Sequence, residues 1–299
     1  MTLAPIAVFG STGQLSSALK RQCVAENRAA IFFDREQCDF TKPETIIDRA
    51  FTNISKPKAV IIAAAYTAVD QAESEPEVAH LVNAEAPAII AQYCARESIP
   101  LIHISTDYVF DGKSKSPYTI SSPTNPQSIY GMSKLEGEHG VLNAKGKAAI
   151  IRTSWVFDGT GKNFLTTMLR LADSRDNLSI VADQIGRPTF CGHLADATLT
   201  ITDALITGQE TAEGIFHVTG SGPVTNWAEF ASEIFKLTKT SKISIRPIST
   251  QEYPTAAARP AYSVLDLERY QSTFNKVMPD WRDGLRHALK DRKTGSITK

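Results

Sequence analysis

Five short apolar runs mark the first half of the chain: Ile6 to Phe9, Ala29 to Phe33, Ala59 to Ala63, Leu101 to Ser105 and Ala148 to Arg152. Continuous apolar runs of this kind suit strands of a parallel sheet covered on both faces. Between them lie helix-length amphipathic segments, Gln14 to Ala25, Pro43 to Asn53, Val78 to Arg96 and Tyr130 to Asn143. The alternation predicts an α/β fold: a Rossmann-type doubly wound parallel sheet that places ligands at the carboxyl ends of its strands. After Arg152 the rhythm changes. Leu178 to Val181 and Gly214 to Val218 read as further strands flanking a helix around Leu194 to Ile206, and Pro279 to Lys290 reads as a closing helix before frayed last residues. The stretch from Gly220 to Pro260 is richer in Pro, Thr and Ser and reads as part of a smaller C-terminal substrate-binding lobe. The expected division is a main domain at 1–154, joined again by strands and a helix from about 176–220, with the lobe formed by 155–175 and 221–299.

Charge narrows the choice of partner. Acidic and basic residues balance at 32 each in 299 residues, so no global field steers the chain to nucleic acid or to an anionic membrane. Any anion must be held locally. The four cysteines, Cys23, Cys38, Cys94 and Cys191, form no CxxC pair and have no histidine companions at ligand spacing, which argues against a disulfide frame or a zinc site. The amino terminus enters an apolar strand without a basic region and signal-length apolar run, and no stretch of about 18 uninterrupted apolar residues occurs. A cytoplasmic protein is the expectation.

Chemistry enters at the strand ends. Gly10-Ser11-Thr12-Gly13-Gln14-Leu15-Ser16 follows the first strand and opens a helix, the setting in which backbone approach and a helix amino terminus hold a pyrophosphate. Gly10, Thr12, Gly13, Gln14 and Leu15 are therefore candidate dinucleotide contacts, with an ordinary glycine turn as the alternative. The second strand ends at Asp34-Arg35, a carboxylate suited to a ribose 2'-hydroxyl beside a guanidinium suited to a 2'-phosphate, so NADH and NADPH both stay open. Ala63, Ala64 and Ala65 are small enough to let a nicotinamide ribose pass, or simply to pack a helix on the sheet. Downstream of Ser105-Thr106-Asp107 stands Tyr130-Gly131-Met132-Ser133-Lys134. Positions four apart share a helix face, and an ammonium beside a phenol, whose ordinary pKa is about 10, favours proton exchange near neutral pH. A tyrosine and a lysine at that spacing also arise by accident; the glycine-rich amino terminus gives the pair its weight.

These segments, with Thr67 to Glu73, the run Ser105 to Gly112, Arg152 to Phe157, Gly186 to Thr189 and Arg259 to Ser263, resemble almost end to end the dTDP-4-dehydrorhamnose reductase branch of the extended short-chain dehydrogenase/reductase family. The resemblance implies reduction of the 4-keto group of a nucleotide sugar, dTDP-4-dehydro-6-deoxy-L-mannose, to dTDP-L-rhamnose by NADPH or NADH. It makes Tyr130 the proton donor, Lys134 the partner of the nicotinamide ribose that lowers the phenol pKa, and Thr106 the group that polarises the ketone. Asp39 and Phe40 match positions bordering the adenine, and Thr67, Val69, Asp107 and Trp155 match positions lining the sugar pocket. Arg259 is left between the nucleotide diphosphate and a surface salt bridge. Trp155 as a core aromatic, Thr106 as a strand end and Asp107 as a turn cap are the plainer alternatives.

Departures from the resemblance are also informative. Some relatives dimerise through a metal held by glutamates, whereas this chain carries Ala18 and Phe190-Cys191-Gly192-His193 at the matching places. No metal requirement and a monomer are expected, with a weak homodimer left open, and activity should be unchanged after treatment with a chelator. Dehydratases of the same fold resemble Thr-Asp-Glu where this chain has Thr106-Asp107-Tyr108, which disfavours elimination. An epimerase stays open. So does a non-catalytic regulator resembling the beta subunit of methionine adenosyltransferase, because fold does not guarantee chemistry.

Overall fold

The computed structural model describes residues 4–240 and 242–294. Strand β1 (Ile6–Phe9) is buried along its whole length; Ile6 and Val8 point into one apolar cluster, Ala7 and Phe9 into another on the opposite face. Around it β2 (Ala30–Phe33), β3 (Ala59–Ile62), β4 (Leu101–Thr106), β5 (Ala148–Thr153) and a later strand, Gly214–His217, complete a six-stranded sheet. Every neighbouring pair is parallel, with Ile6 opposite both Ala30 and Ala59. The chain leaves β1 for β2 on one side and then crosses to β3 on the other. A crevice therefore opens outside the carboxyl ends of β1 and β3, where such sheets bind ligands.

Helix α1 (Gln14–Ala25) covers one face of the sheet. On the other lie α2 (Ile46–Phe51), the short α3 (Val69–Ala72), α4 (Pro76–His80), α5 (Ala86–Arg96) and α6 (Ile129–Asn143). The expected helix from Val78 to Arg96 is α4 and α5 joined by a π-helical turn, Leu81–Glu85. The turn aims the fully buried Asn83 at α6, and α6 comes so close that a Cβ on Gly137 would lie 2.1 Å from the Asn83 carbonyl oxygen.

The second half divides between the sheet and a separate lobe. Short strands β6 (Val156–Phe157), β7 (Asn177–Val181), β8 (Ile185–Gly186) and β9 (Thr189–Phe190) precede β10, the Gly214–His217 strand at the sheet edge. Helix α8 (Cys191–Ile206) packs with α1, and β10 pairs with β5 at the edge of the main sheet. One element does not follow the expectation: β7 pairs in parallel with β12 (Ser244–Ile248), outside the main sheet. Its alternating inner residues Leu178 and Ile180 pack against Phe230, Ile234 and Trp281, so its apolar face is buried in the lobe. That lobe also holds α7 (Phe164–Ala172), β11 (Thr225–Asn226), α9 (Trp227–Thr238) and α11 (Trp281–Thr294); α10 (Glu268–Phe274) lies against β10. The expected closing helix is thus α11, and the residues expected to fray, 295–299, lie outside the described residues.

Candidate active site

The chain leaves β1 through Gly10, whose φ of +103° is strained for any residue with a Cβ. That Cβ would also stand 3.0 Å from Ser16 Oγ and 3.1 Å from the Ala64 amide nitrogen. The Gly10 amide donates to the Phe33 carbonyl at 2.9 Å, while the Ala63 and Ala64 amides both donate to the Phe9 carbonyl at 3.0 and 2.8 Å. The ends of three strands are thereby drawn around one small-residue turn. Gly13 begins α1 with no side-chain cap, which leaves the first amides of the helix to an anion. Gln14 reaches across to the Val156 carbonyl at 3.4 Å. Thr12 is exposed at the tip, Ala65 is half-buried beyond Ala64, and Leu15 is buried in the core, so Leu15 presents only its backbone.

At the end of β2, Asp34 accepts from the Gln37 amide at 2.9 Å, and the mostly exposed Arg35 lies 3.7 Å from Asp39. Asp39 accepts from the amide and hydroxyl of Thr41 at 3.0 and 2.9 Å. Phe40 is buried, its ring 5.6 Å from that of Phe9, so its main contacts are with the sheet core.

Thr106 ends β4, and Tyr130 occupies the first turn of α6, where Ser128 caps the Gly131 amide at 3.1 Å. The buried Tyr130 phenol faces the Thr106 hydroxyl, which favours its ionised form. Thr106 Oγ1 also donates to Asp107 Oδ1 at 3.0 Å and accepts from the Tyr108 amide at 3.2 Å. Burial pushes the Asp107 carboxyl up to about 7, only partly offset by the Thr106 hydroxyl. Lys134 is buried too; its ammonium donates to the Ile104 carbonyl at 2.7 Å and lies 3.4 Å from His103 Nε2. Burial pulls it down to about 8, against the favourable charge of Glu138.

One expectation needs correcting. The phenol was expected to be made acidic by Lys134, but burial pushes it up to about 12, with Thr106 holding it down and Asp107 acting with burial. The ammonium is anchored on the backbone of β4, and loss of water around the phenol is the largest cause of its shift.

On the lobe side, Trp155 adopts a left-handed backbone, φ +49°, and stacks on Trp227 with ring centroids 3.7 Å apart and planes at 11°. Trp227 is fixed in turn by its Nε1 donating to Gln184 Oε1 at 3.1 Å. Thr67 and Val69 stand at the start of α3, next to Asp70. Arg259 Nη2 donates to Asp70 Oδ2 at 2.6 Å, and the Ala257 amide donates to Oδ1 of the same carboxylate at 3.1 Å. The remaining Arg259 Nη1 is buried without a partner in the structure. Sequence reading missed Trp227, Asn83 and Glu138. Asn83 accepts from the Tyr66 amide at 2.9 Å and donates to the Tyr66 carbonyl and to Ser133 Oγ at 3.1 and 3.0 Å, locking the loop after β3 to α6. A buried amide within an apolar helix face is the only trace of it in the sequence.

Residues 4–294 match the family described as the RmlD substrate binding domain. The chain belongs to that family. It is 38% identical over 291 residues to a dTDP-4-dehydrorhamnose reductase of Aggregatibacter actinomycetemcomitans, covering 95% of this chain and 98% of that protein. It is 36% identical over 286 residues, covering 95% and 94%, to a Streptomyces antibioticus protein named as a probable dTDP-4,6-dihydroxy-2-methyloxan-3-one 4-ketoreductase. A solved dTDP-4-dehydrorhamnose reductase of Bacillus anthracis, in complex with NADP, superposes with a TM-score of 0.87 at 34% identity, covering 96% and 99%. Membership of the RmlD family makes the chain an oxidoreductase with a nicotinamide dinucleotide as cofactor. The Gly10 turn, the uncapped start of α1 and the small residues after β3 fit such a group. Among the described residues no cluster of three or more His, Cys, Asp or Glu is arranged to hold a metal ion, and no helix is long and apolar enough to cross a membrane.

Proposed function

We propose that the protein reduces the 4-keto group of dTDP-4-dehydro-6-deoxy-L-mannose to give dTDP-L-rhamnose, using NADPH or NADH. The observation that carries this reading is the meeting of Tyr130, in the first turn of α6, with Thr106 at the carboxyl end of β4, in a chain of this family. The main body, 1–154 with α8 and β10, binds the dinucleotide through Gly10, Thr12, Gly13, Gln14, Leu15, Asp34, Arg35, Asp39, Phe40 and Ala63 to Ala65. The lobe, with Thr67, Val69, Asp107 and Trp155, holds the sugar nucleotide.

A bound reduced dinucleotide supplies a hydride to C4 of the sugar. Thr106 and Tyr130 hold the ketone oxygen, and the Tyr130 hydroxyl hands over its proton as negative charge develops there. A phenol near 12 keeps its proton at neutral pH, which suits a donor in the reducing direction. Lys134, four residues along the same helix face, provides positive charge against the phenolate left behind and a contact for the nicotinamide ribose.

Supplying dTDP-4-keto-6-deoxyhexoses with NADPH or NADH should give loss of reduced-nicotinamide absorbance and a product that NMR identifies as dTDP-L-rhamnose. No consumption of cofactor with any of them would sink the proposal. The likeness to the Streptomyces 4-ketoreductase favours a second reading, reduction of a neighbouring dTDP-deoxysugar at the same carbon, and the stereochemistry of the product decides between the two.

A further inference from the structure

Tyr130, Lys134 and Glu138 occupy successive turns of one face of α6, and only the first two have a role in the reaction proposed above. Glu138 is almost wholly buried. Its Oε1 accepts from Arg152 Nε at 2.9 Å and from Ser105 Oγ at 2.5 Å, while Oε2 accepts from Arg152 Nη2 at 2.6 Å. Ser105 and Arg152 are register partners across β4 and β5, and Ser105 immediately precedes Thr106. One carboxylate thus joins the helix that carries Tyr130 and Lys134 to the strand end that carries Thr106.

We propose that Glu138 is a positioning residue for this reduction: clamped by Arg152 and Ser105, it sets a negative charge one helical turn from Lys134 and holds Thr106 in register with Tyr130. The inference rests on the reading of Tyr130, Thr106 and Lys134 given above. A buried ion pair adds little stability over apolar residues of the same volume, so stability alone gives no strong reason for one at this place. The groups around Lys134 leave the electrostatic part to Glu138. From β4 come His103 and the Ile104 carbonyl, and burial pushes His103 well below its ordinary value, so it stays neutral. From β5 comes Arg152, turned to Glu138 and lying over the Phe110 ring. His217 of β10 lies beyond Phe110, and burial, with Arg152 nearby, pulls it down to about 3. Asp107 acts on Tyr130 from the end of β4. Glu138 is the charge that favours the protonated lysine.

The test is Glu138→Gln, which keeps the shape and removes the charge. The Lys134 titration, followed by NMR of 13C-labelled lysine and assigned with a Lys134→Met variant, should move down by about one pH unit. The alkaline limb of kcat/KM should move with it. If the unpaired Arg152 prevents folding, Glu138→Gln with Arg152→Gln removes the carboxylate without stranding a guanidinium, and a smaller downward shift is expected because a like charge leaves with it. An unmoved Lys134 titration in a folded variant, whatever its stability, overturns the proposal. The NMR readout needs no turnover, so it decides the role of Glu138 even if no dTDP-4-ketosugar is reduced, an outcome that would count against the reaction instead.

Discussion

Tyr130→Phe is expected to lower kcat by about 10²- to 10⁴-fold, the range that a positioned proton donor contributes, while dinucleotide affinity stays within a few-fold of the parent. The change removes one oxygen from a ring whose surroundings are otherwise intact: Tyr108 packs edge-on against it with ring centroids 5.4 Å apart, and the Ser128 cap and the Lys134 anchor do not involve the phenol. What disappears is the phenol proton beside Thr106. Steady-state kinetics with the ketosugar, alongside calorimetric titration with NADPH, separates the two effects. Near-normal turnover would remove Tyr130 as the donor, and a matching loss of cofactor affinity would make it a binding residue. A non-catalytic regulator predicts a third pattern, cofactor binding with no ketone reduction in parent or variant.

The second large effect is on stability, and its sign comes from Asp107. Burial raises this carboxyl to about 7 in the folded chain from an ordinary value of 3.8, so the native state holds the proton more tightly than the unfolded chain. Stability is then complete at acid pH and lost as pH rises through the interval between those values, with no further loss above about 7. Asp107→Asn keeps an acceptor for the Thr106 hydroxyl and abolishes the titration. At pH 8 the variant should be more stable than the parent by a few kcal/mol, at most about 4 from the displaced pKa. At pH 4 the two should nearly coincide. Denaturant melts at both pH values check this, and an equal offset at both would show that packing, not ionisation, sets the difference. The gain should come with weaker turnover, because the site holds a carboxyl where a neutral amide would be more comfortable.

Much of this was legible from the residues because several local signals agreed. The first three strands are apolar without interruption, Gly10 and Gly13 bracket a turn that only small residues permit, and Gln14 to Ala25 is the length at which α1 forms. Tyr130 and Thr106 could be paired because helix spacing and strand ends obey fixed geometry. The acidity of the phenol could not be read in the same way. It depends on how much water surrounds the ring and on where the lysine is tied, and spacing along a helix reports neither. The same limit hid Trp227, which stacks on Trp155 from a distant part of the chain, and the Asp70 to Arg259 pair, whose members are far apart in sequence. Strand β7 lies in a different layer from the one expected, because a short strand with two inward apolar side chains does not reveal which of two cores it fills. Glu138 was within reach: it follows Lys134 by the same interval that separates Lys134 from Tyr130.

The π-helical turn at Leu81–Glu85 sets how this region can change. Such a turn amounts to one extra residue within an otherwise α-helical rod, and everything beyond it is rotated by about 100°. Removing a single amino acid there would mend the helix and swing Asn83 away from Tyr66 and Ser133. The floor beneath the reactive residues is therefore sensitive to chain length as well as to composition, and a shortened variant with every side chain of the site retained would still lose its alignment.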